Sequence, residues 1–269
     1  MKVGLQIARF HWQGGPALTR ATLAKIARAA DEAGFASIWL MDHFFQIRAV
    51  GKAEEEMLEA YTTLGFLAAH TQRAHLGTLV SGAHHREPAK LISQVATLDS
   101  LSDGRAWLGI GAGWYERESR GLGIPFPSLN ERYERLETTL KLARQRWPAD
   151  AHRPRILIGG GGERRTLRLV ARYADACNLF ARLPVWALAN KLEKLREYCA
   201  EADRPWASIE KTALANWNLA RQPTQLILDR LRELRELEFD TVIASLNGVE
   251  TLKPIETVAR DVLPLAERL

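Results

Sequence analysis

The chain has 269 residues, 46% of them hydrophobic and 26% charged, with a mean hydropathy of -0.20. That composition supports a packed core and excludes disordered and fibrous classes, and no stretch approaches the roughly 18 uninterrupted apolar residues of a membrane span. There are 37 basic and 32 acidic residues, a net charge of +5; the two signs are interleaved along stretches such as Leu226 to Phe239, which leaves no basic block for nucleic acid and only a mild preference for small anions.

Val3 to Ile7 is a short apolar, strand-like stretch, and nothing before it has the pattern of a signal peptide, so a cytoplasmic protein with no membrane partner is expected. Leu18 to Ala33 then has helical spacing and is closed by Gly34. The same alternation continues. Strand stretches fall at Ser37 to Met41, His75 to Val80, Ala106 to Ile110, Arg155 to Ile158, Ala176 to Phe180, Glu210 to Asn216 and Thr241 to Ser245. The helical segments after them are Met57 to Thr71, Pro88 to Leu101, Leu129 to Trp147, Glu163 to Tyr173, Val185 to Ala202, Thr224 to Leu237 and Leu252 to Arg268. Cys177 and Cys199 are too few for a disulfide framework and read as reduced, buried thiols.

Strict strand-helix alternation implies parallel strands, because a crossover of a dozen or more residues is needed to return the chain in the same direction. Eight such units in this length predict an α/β fold: one (β/α)8 TIM barrel with short loops, spanning residues 1–269 as a single domain. The doubly wound open sheet is the alternative, but nothing marks a reversal of strand order. A barrel places its site at the C-terminal strand ends, so the residues just after each strand are the candidates.

Four glycines, Gly159 to Gly162, followed by Glu163, Arg164, Arg165 and Thr166, lie between the fifth strand and its helix, where backbone amides and a helix start can hold a phosphate. One glycine would serve a plain turn. Asp42 and His43 end the second strand; an imidazole titrates near neutrality as a residue type and suits proton transfer, while a capping Asp and a packing His are the plainer reading. Gly109 to Gly113 keep backbone open at the fourth strand end, and Trp114 and Tyr115 add aromatic surface beside it. His84 and His85 are adjacent with no further ligand at suitable spacing, so no metal site is expected.

Several motifs together resemble the luciferase-like flavin monooxygenase superfamily, in particular its coenzyme F420-dependent branch. They are Ala29 to Phe35, Trp39 to Phe45, Glu59 to Leu64, Leu76 to Val80, Leu108 to Trp114 and Ile156 to Glu163. The resemblance implies that Asp42 contacts the deazaflavin, that His43 is the catalytic proton donor at its reactive ring, and that a non-prolyl cis peptide lies at Leu79-Val80. It places Leu79, Val80, Gly82, Ala112 and Gly113 at the cofactor ring and Gly161, Gly162, Glu163, Arg165 and Thr166 at its phosphate. Phe44, Trp114, Tyr115 and Trp217 would face the substrate, a small molecule.

Departures from the family narrow the expectation. The family's sugar-phosphate dehydrogenases carry an acid where this chain has Trp114 and a Trp where it has Ile47, which disfavours sugar-phosphate oxidation. The connection Pro148 to Pro154 is shorter than in relatives, and the loop Trp217 to Pro223 is a poor lid against water, which favours hydride transfer over oxygen chemistry. The expected activity is therefore F420-dependent hydride transfer. The alternatives are an FMN-dependent monooxygenase and a flavin-binding protein without turnover. The resemblance also allows a homodimer.

Overall fold

The structure is a computed structural model that describes residues 1–148 and 152–269. The strands are β1 (Lys2–Ile7), β2 (Ser37–Leu40), β3 (His75–Thr78), β4 (Ser81–Gly82), β5 (Ala106–Gly111), β6 (Arg155–Gly159), β7 (Ala176–Phe180), β8 (Glu210–Trp217) and β9 (Thr241–Leu246). All pair in parallel, with β1 between β2 and β9. The sheet closes where β3 and β4 both pair with β5, in the register Gly77 to Trp107 and Gly82 to Gly111. β3 and β4 together fill one position, so the barrel is eight-stranded, as the alternation predicts. The Leu79-Val80 bond between them is cis.

Closure is tight at that seam. A Cβ on Gly109 would stand 1.7 Å from the Thr78 carbonyl oxygen, and Thr78 Oγ1 donates to the Gly109 carbonyl at 2.8 Å. Only glycine fits there. Inside the barrel, Trp39, Leu79, Trp107, Leu157, Ala176 and Ile243 form a plug of their own beneath the open end. Trp39 and Trp107 meet edge to face at 5.6 Å.

The helices are α1 (Pro16–Ala33), α2 (Ala60–Ala68), α3 (Pro88–Leu101), α4 (Glu116–Gly121), α5 (Leu129–Arg146), α6 (Thr166–Tyr173), α7 (Val185–Glu201), α8 (Thr224–Glu236), α9 (Lys253–Asp261) and α10 (Leu263–Ala266). The final predicted helix begins only after Leu252, which takes a left-handed φ of 64°, and it is divided ahead of Pro264. The expectation of short loops is corrected at two places. A long connection joins β2 to α2, and α4 is inserted between β5 and α5. Both lie at the C-terminal strand ends. Of the shortened segment 148–154, residues 149–151 lie outside the described residues.

At the opposite rim, side-chain carboxylates receive backbone N–H groups at or near the strand starts. Asp31 accepts from Gln72, Arg73 and Ala74 at 2.7 to 3.0 Å, Asp99 from Ala106 at 3.1 Å, Asp175 from Ile156 at 2.8 Å and Asp240 from Lys211 at 2.8 Å. Burial would raise the Asp175 pKa, but Arg153, the Ile156 amide and Arg144 bring it down to about 2. Cys177 and Cys199 are unpaired and buried, and burial pushes the Cys177 thiol up to about 12. No helix among the described residues is long and apolar enough to cross a membrane.

Candidate active site

The C-terminal strand ends open onto a cavity of about 1140 Å³, ample for a flat multi-ring ligand together with a small second molecule. The sequence-predicted residues His43, Leu79, Val80, Gly82, Ala112, Gly113, Trp114, Tyr115, Gly162, Thr166 and Trp217 all line it. Asp42, Phe44, Gly161, Glu163 and Arg165 do not line it, and each is held elsewhere. Both oxygens of the buried Asp42 carboxylate are taken by Arg86, whose Nη2 reaches Oδ1 at 2.9 Å. The Phe44 ring packs on His85 with centroids 5.2 Å apart. The Gly161 carbonyl and the Glu163 carboxylate both accept from Lys191 Nζ, at 2.8 and 2.9 Å. Arg165 lies over the Tyr133 ring at 5.2 Å. The geometry therefore puts Asp42 behind the cavity wall, where an ion pair occupies it.

His43 stands at the wall, half-buried. Its Nδ1 is 2.9 Å from Glu118 Oε1, and its ring meets Trp114 and Tyr115 edge to face, each at 5.7 Å. Trp114 and Tyr115 stack on each other at 5.0 Å. Trp114 is 63% exposed although it lines the cavity, so a large aromatic face is offered at the mouth. The loop that carries His43 is pinned from three sides. Glu118 Oε2 accepts from the Phe44 amide at 2.8 Å, Gln46 Nε2 donates to the Ala8 carbonyl at 2.9 Å, and Tyr115 Oη donates to the Gln46 carbonyl at 3.2 Å.

Below the mouth, Val80 projects between two glycines. A Cβ on Gly159 would stand 2.8 Å from one Val80 methyl, and one on Gly111 would stand 3.0 Å from the other. The wall is thus shaped around Val80, leaving open backbone on both sides, which fits a flat ring system. At the β6–α6 turn, the backbone N–H groups of Gly161 to Arg165 find no acceptor among the described residues. Tyr133 Oη and Thr166 Oγ1 are 2.8 Å apart at the same place, and a Cβ on Gly162 would come within 2.9 Å of Thr166 Oγ1 and 3.2 Å of Tyr133 Oη. Free amides, two hydroxyls and a helix start fit a phosphate group.

Sequence reasoning missed Glu118, Arg86 and Tyr133. Glu118 sits in the charged run Glu116 to Arg120, which reads as a solvated face; its side chain is 1% exposed while Glu116, Arg117 and Arg120 are exposed. Burial alone would raise the Glu118 pKa, but the His43 and His85 rings and the Phe44 amide bring it down to about 2. His85 Nε2 is 3.4 Å from Glu118 Oε1 but lacks hydrogen-bond alignment. His84 donates or accepts at Ser119 Oγ, 3.0 Å away, and burial, with His85 and Arg132 beside it, lowers its pKa to about 4.

The family model described as luciferase-like monooxygenase matches residues 1–250 of this chain. An F420-dependent glucose-6-phosphate dehydrogenase of Kineococcus radiotolerans is 39% identical over 126 residues, 46% of this chain and 36% of that protein. The chain thus matches little more than a third of the length of that curated relative. Among solved structures, an F420-dependent secondary alcohol dehydrogenase in complex with an F420-acetone adduct superposes with a TM-score of 0.79, at 15% identity over 98% of each chain. The coenzyme F420-dependent tetrahydromethanopterin reductase of Methanopyrus kandleri superposes with a TM-score of 0.73, at 17% identity over 98% of each chain. At these identities the likeness is one of fold.

Proposed function

The chain belongs to the luciferase-like monooxygenase family, and on that premise we propose that it is an F420-dependent oxidoreductase acting on a small organic substrate, with His43 as the group that gives or takes the proton. One observation carries the reading: a histidine fixed at the wall lines the same cavity as Gly162 and Thr166, which belong to the β6–α6 turn with its free amides. The deazaflavin, when bound, supplies hydride chemistry. The chain's own residues supply binding, orientation and a proton. Gly162, Thr166 and Tyr133 hold the phosphate, Val80 with Gly111 and Gly159 supports the ring, and His43 stands where a reacting oxygen or carbon can exchange a proton.

The Kineococcus radiotolerans relative carries the name of a sugar-phosphate dehydrogenase, but the His43 ring here meets Trp114 and Tyr115 edge to face, and Ile47 and Val50 line the same cavity. Those side chains suit a substrate with an apolar or aromatic body, and Arg48, Arg182 and Arg230 add positive charge to the lining of the same cavity. Titration of the purified chain with F420 and with FMN tests the cofactor assignment. Saturable F420 binding is expected; tight FMN binding with indifference to F420 would overturn it and favour oxygen chemistry.

Gly162→Val should weaken F420 affinity by about tenfold or more, roughly 1.4 kcal/mol, because the new side chain meets Thr166 and Tyr133 at the phosphate turn. Unchanged affinity, measured by fluorescence titration, would place the phosphate elsewhere.

A further inference from the structure

A neutral imidazole carries one proton on either of two nitrogens, and which one it carries depends on what the other faces. At His43, Nδ1 faces the Glu118 carboxylate at 2.9 Å. Nε2 has no hydrogen-bond partner among the described residues, and the ring lines the cavity. An ionised carboxylate can only accept. The proton must therefore sit on Nδ1, which leaves Nε2 as the nitrogen that serves the substrate.

We propose that Glu118 is the positioning residue of His43, fixing the tautomer that presents Nε2 to the cavity. The functional meaning rests on the proton-transfer reading of His43 given above; the tautomer itself does not. Other groups around the ring do not supply this contact. Tyr115 meets it edge to face. Asp42, the next residue, is neutralised by Arg86, which also donates to Glu59 at 2.6 Å. His85 Nε2 stands 3.4 Å from the same Glu118 oxygen, and His84 is held at Ser119. Among the described residues, Glu118 is the carboxylate in contact with the ring. Its acidity, with the pKa brought down to about 2, keeps it ionised through the whole working range of pH.

A plain structural role is the competing account, since Glu118 Oε2 also receives the Phe44 amide at 2.8 Å. The two accounts part at Glu118→Gln. The side chain keeps its shape, but it has one oxygen and one NH2 in place of two oxygens. The amide N–H groups of Phe44 and Phe45 can only donate, so they hold the oxygen, at the place where Oε2 now accepts at 2.8 and 3.4 Å. The NH2 then faces His43 Nδ1 and donates to it, so the neutral ring must carry its proton on Nε2. The substitution reverses the tautomer without emptying the site.

Long-range 1H–15N correlation spectra of the full chain labelled with 15N-histidine would read this directly, with the His43 signals assigned by their loss in His43→Gln. In the wild type, His43 is expected as the Nδ1-protonated tautomer. In Glu118→Gln the neutral ring should instead be Nε2-protonated. A purely structural Glu118 would leave the tautomer unchanged. A wild-type ring already protonated on Nε2 overturns the proposal whether or not the variant folds, and so does an identical tautomer in the folded variant. F420 titration of the same samples separates the two readings. Absent F420 binding in the wild type sinks the cofactor assignment and leaves the tautomer result standing, whereas intact binding with an unmoved His43 sinks the positioning role alone.

Discussion

Replacing His43 with glutamine is expected to slow reduction of a carbonyl or enone substrate by roughly 10²- to 10⁴-fold while leaving F420 affinity within about threefold of the wild type. Glutamine fills much the same volume and can still hydrogen-bond Glu118, but it cannot exchange a proton near neutral pH. The predicted loss, about 3 to 5 kcal/mol of barrier, is the whole contribution of a positioned general acid or base. Affinity should survive because the groups assigned to the cofactor, from Val80 to the β6–α6 turn, do not depend on His43 for their places. Single-turnover spectroscopy of bound deazaflavin, run against a panel of ketones, aldehydes and enones, would measure the step. A rate within about threefold of the wild type would remove His43 from the proton path.

Arg86→Leu should cost about 3 to 5 kcal/mol of folding stability, the range for stranding one partner of a buried pair, and lower the Tm by on the order of 10 °C. Arg86 engages both Asp42 oxygens and reaches Glu59, with its guanidinium over the Tyr61 ring at 5.0 Å. Asp42 is 1% exposed in its side chain, so without Arg86 it would be an uncompensated charge in the wall behind His43. Burial and the Asp42 charge already raise the Tyr61 pKa to about 12, so that phenol stays neutral and can donate. Adding Asp42→Asn to Arg86→Leu should restore a good part of the lost stability, because the stranded charge is then gone. Calorimetry of the two variants decides: a single substitution costing less than about 1 kcal/mol would mean that Asp42 is not held as an ion here.

The barrel was legible because its signal is repeated. Each strand is a short apolar run, each helix has its own period, and an error at one boundary does not disturb the count, as the division near Leu252 and Pro264 shows. His43, Trp114, Tyr115 and the glycine turn were legible because they follow strand ends, which the fold turns toward one mouth. Glu118 was not. It lies in a run of alternating charges on a helix of one and a half turns, and nothing local distinguishes the carboxylate that turns inward from Glu116 and Arg120, which pair with each other at 2.7 Å on the surface. Asp42 shows the reverse case. Its place at a strand end is legible, but its partner Arg86 lies 44 residues along the chain, and only the fold brings the two together.

The carboxylates of Asp31, Asp99, Asp175 and Asp240 fasten strand starts on one rim, while His43, Trp114 and Gly162 occupy the other. Durability and chemistry are therefore assigned to separate sets of residues with the barrel's own plug between them. A random library of this gene would sort accordingly: clones selected for surviving heat and clones selected for accepting new substrates would accumulate changes at opposite poles, and gains of the two kinds could be recombined with little interference.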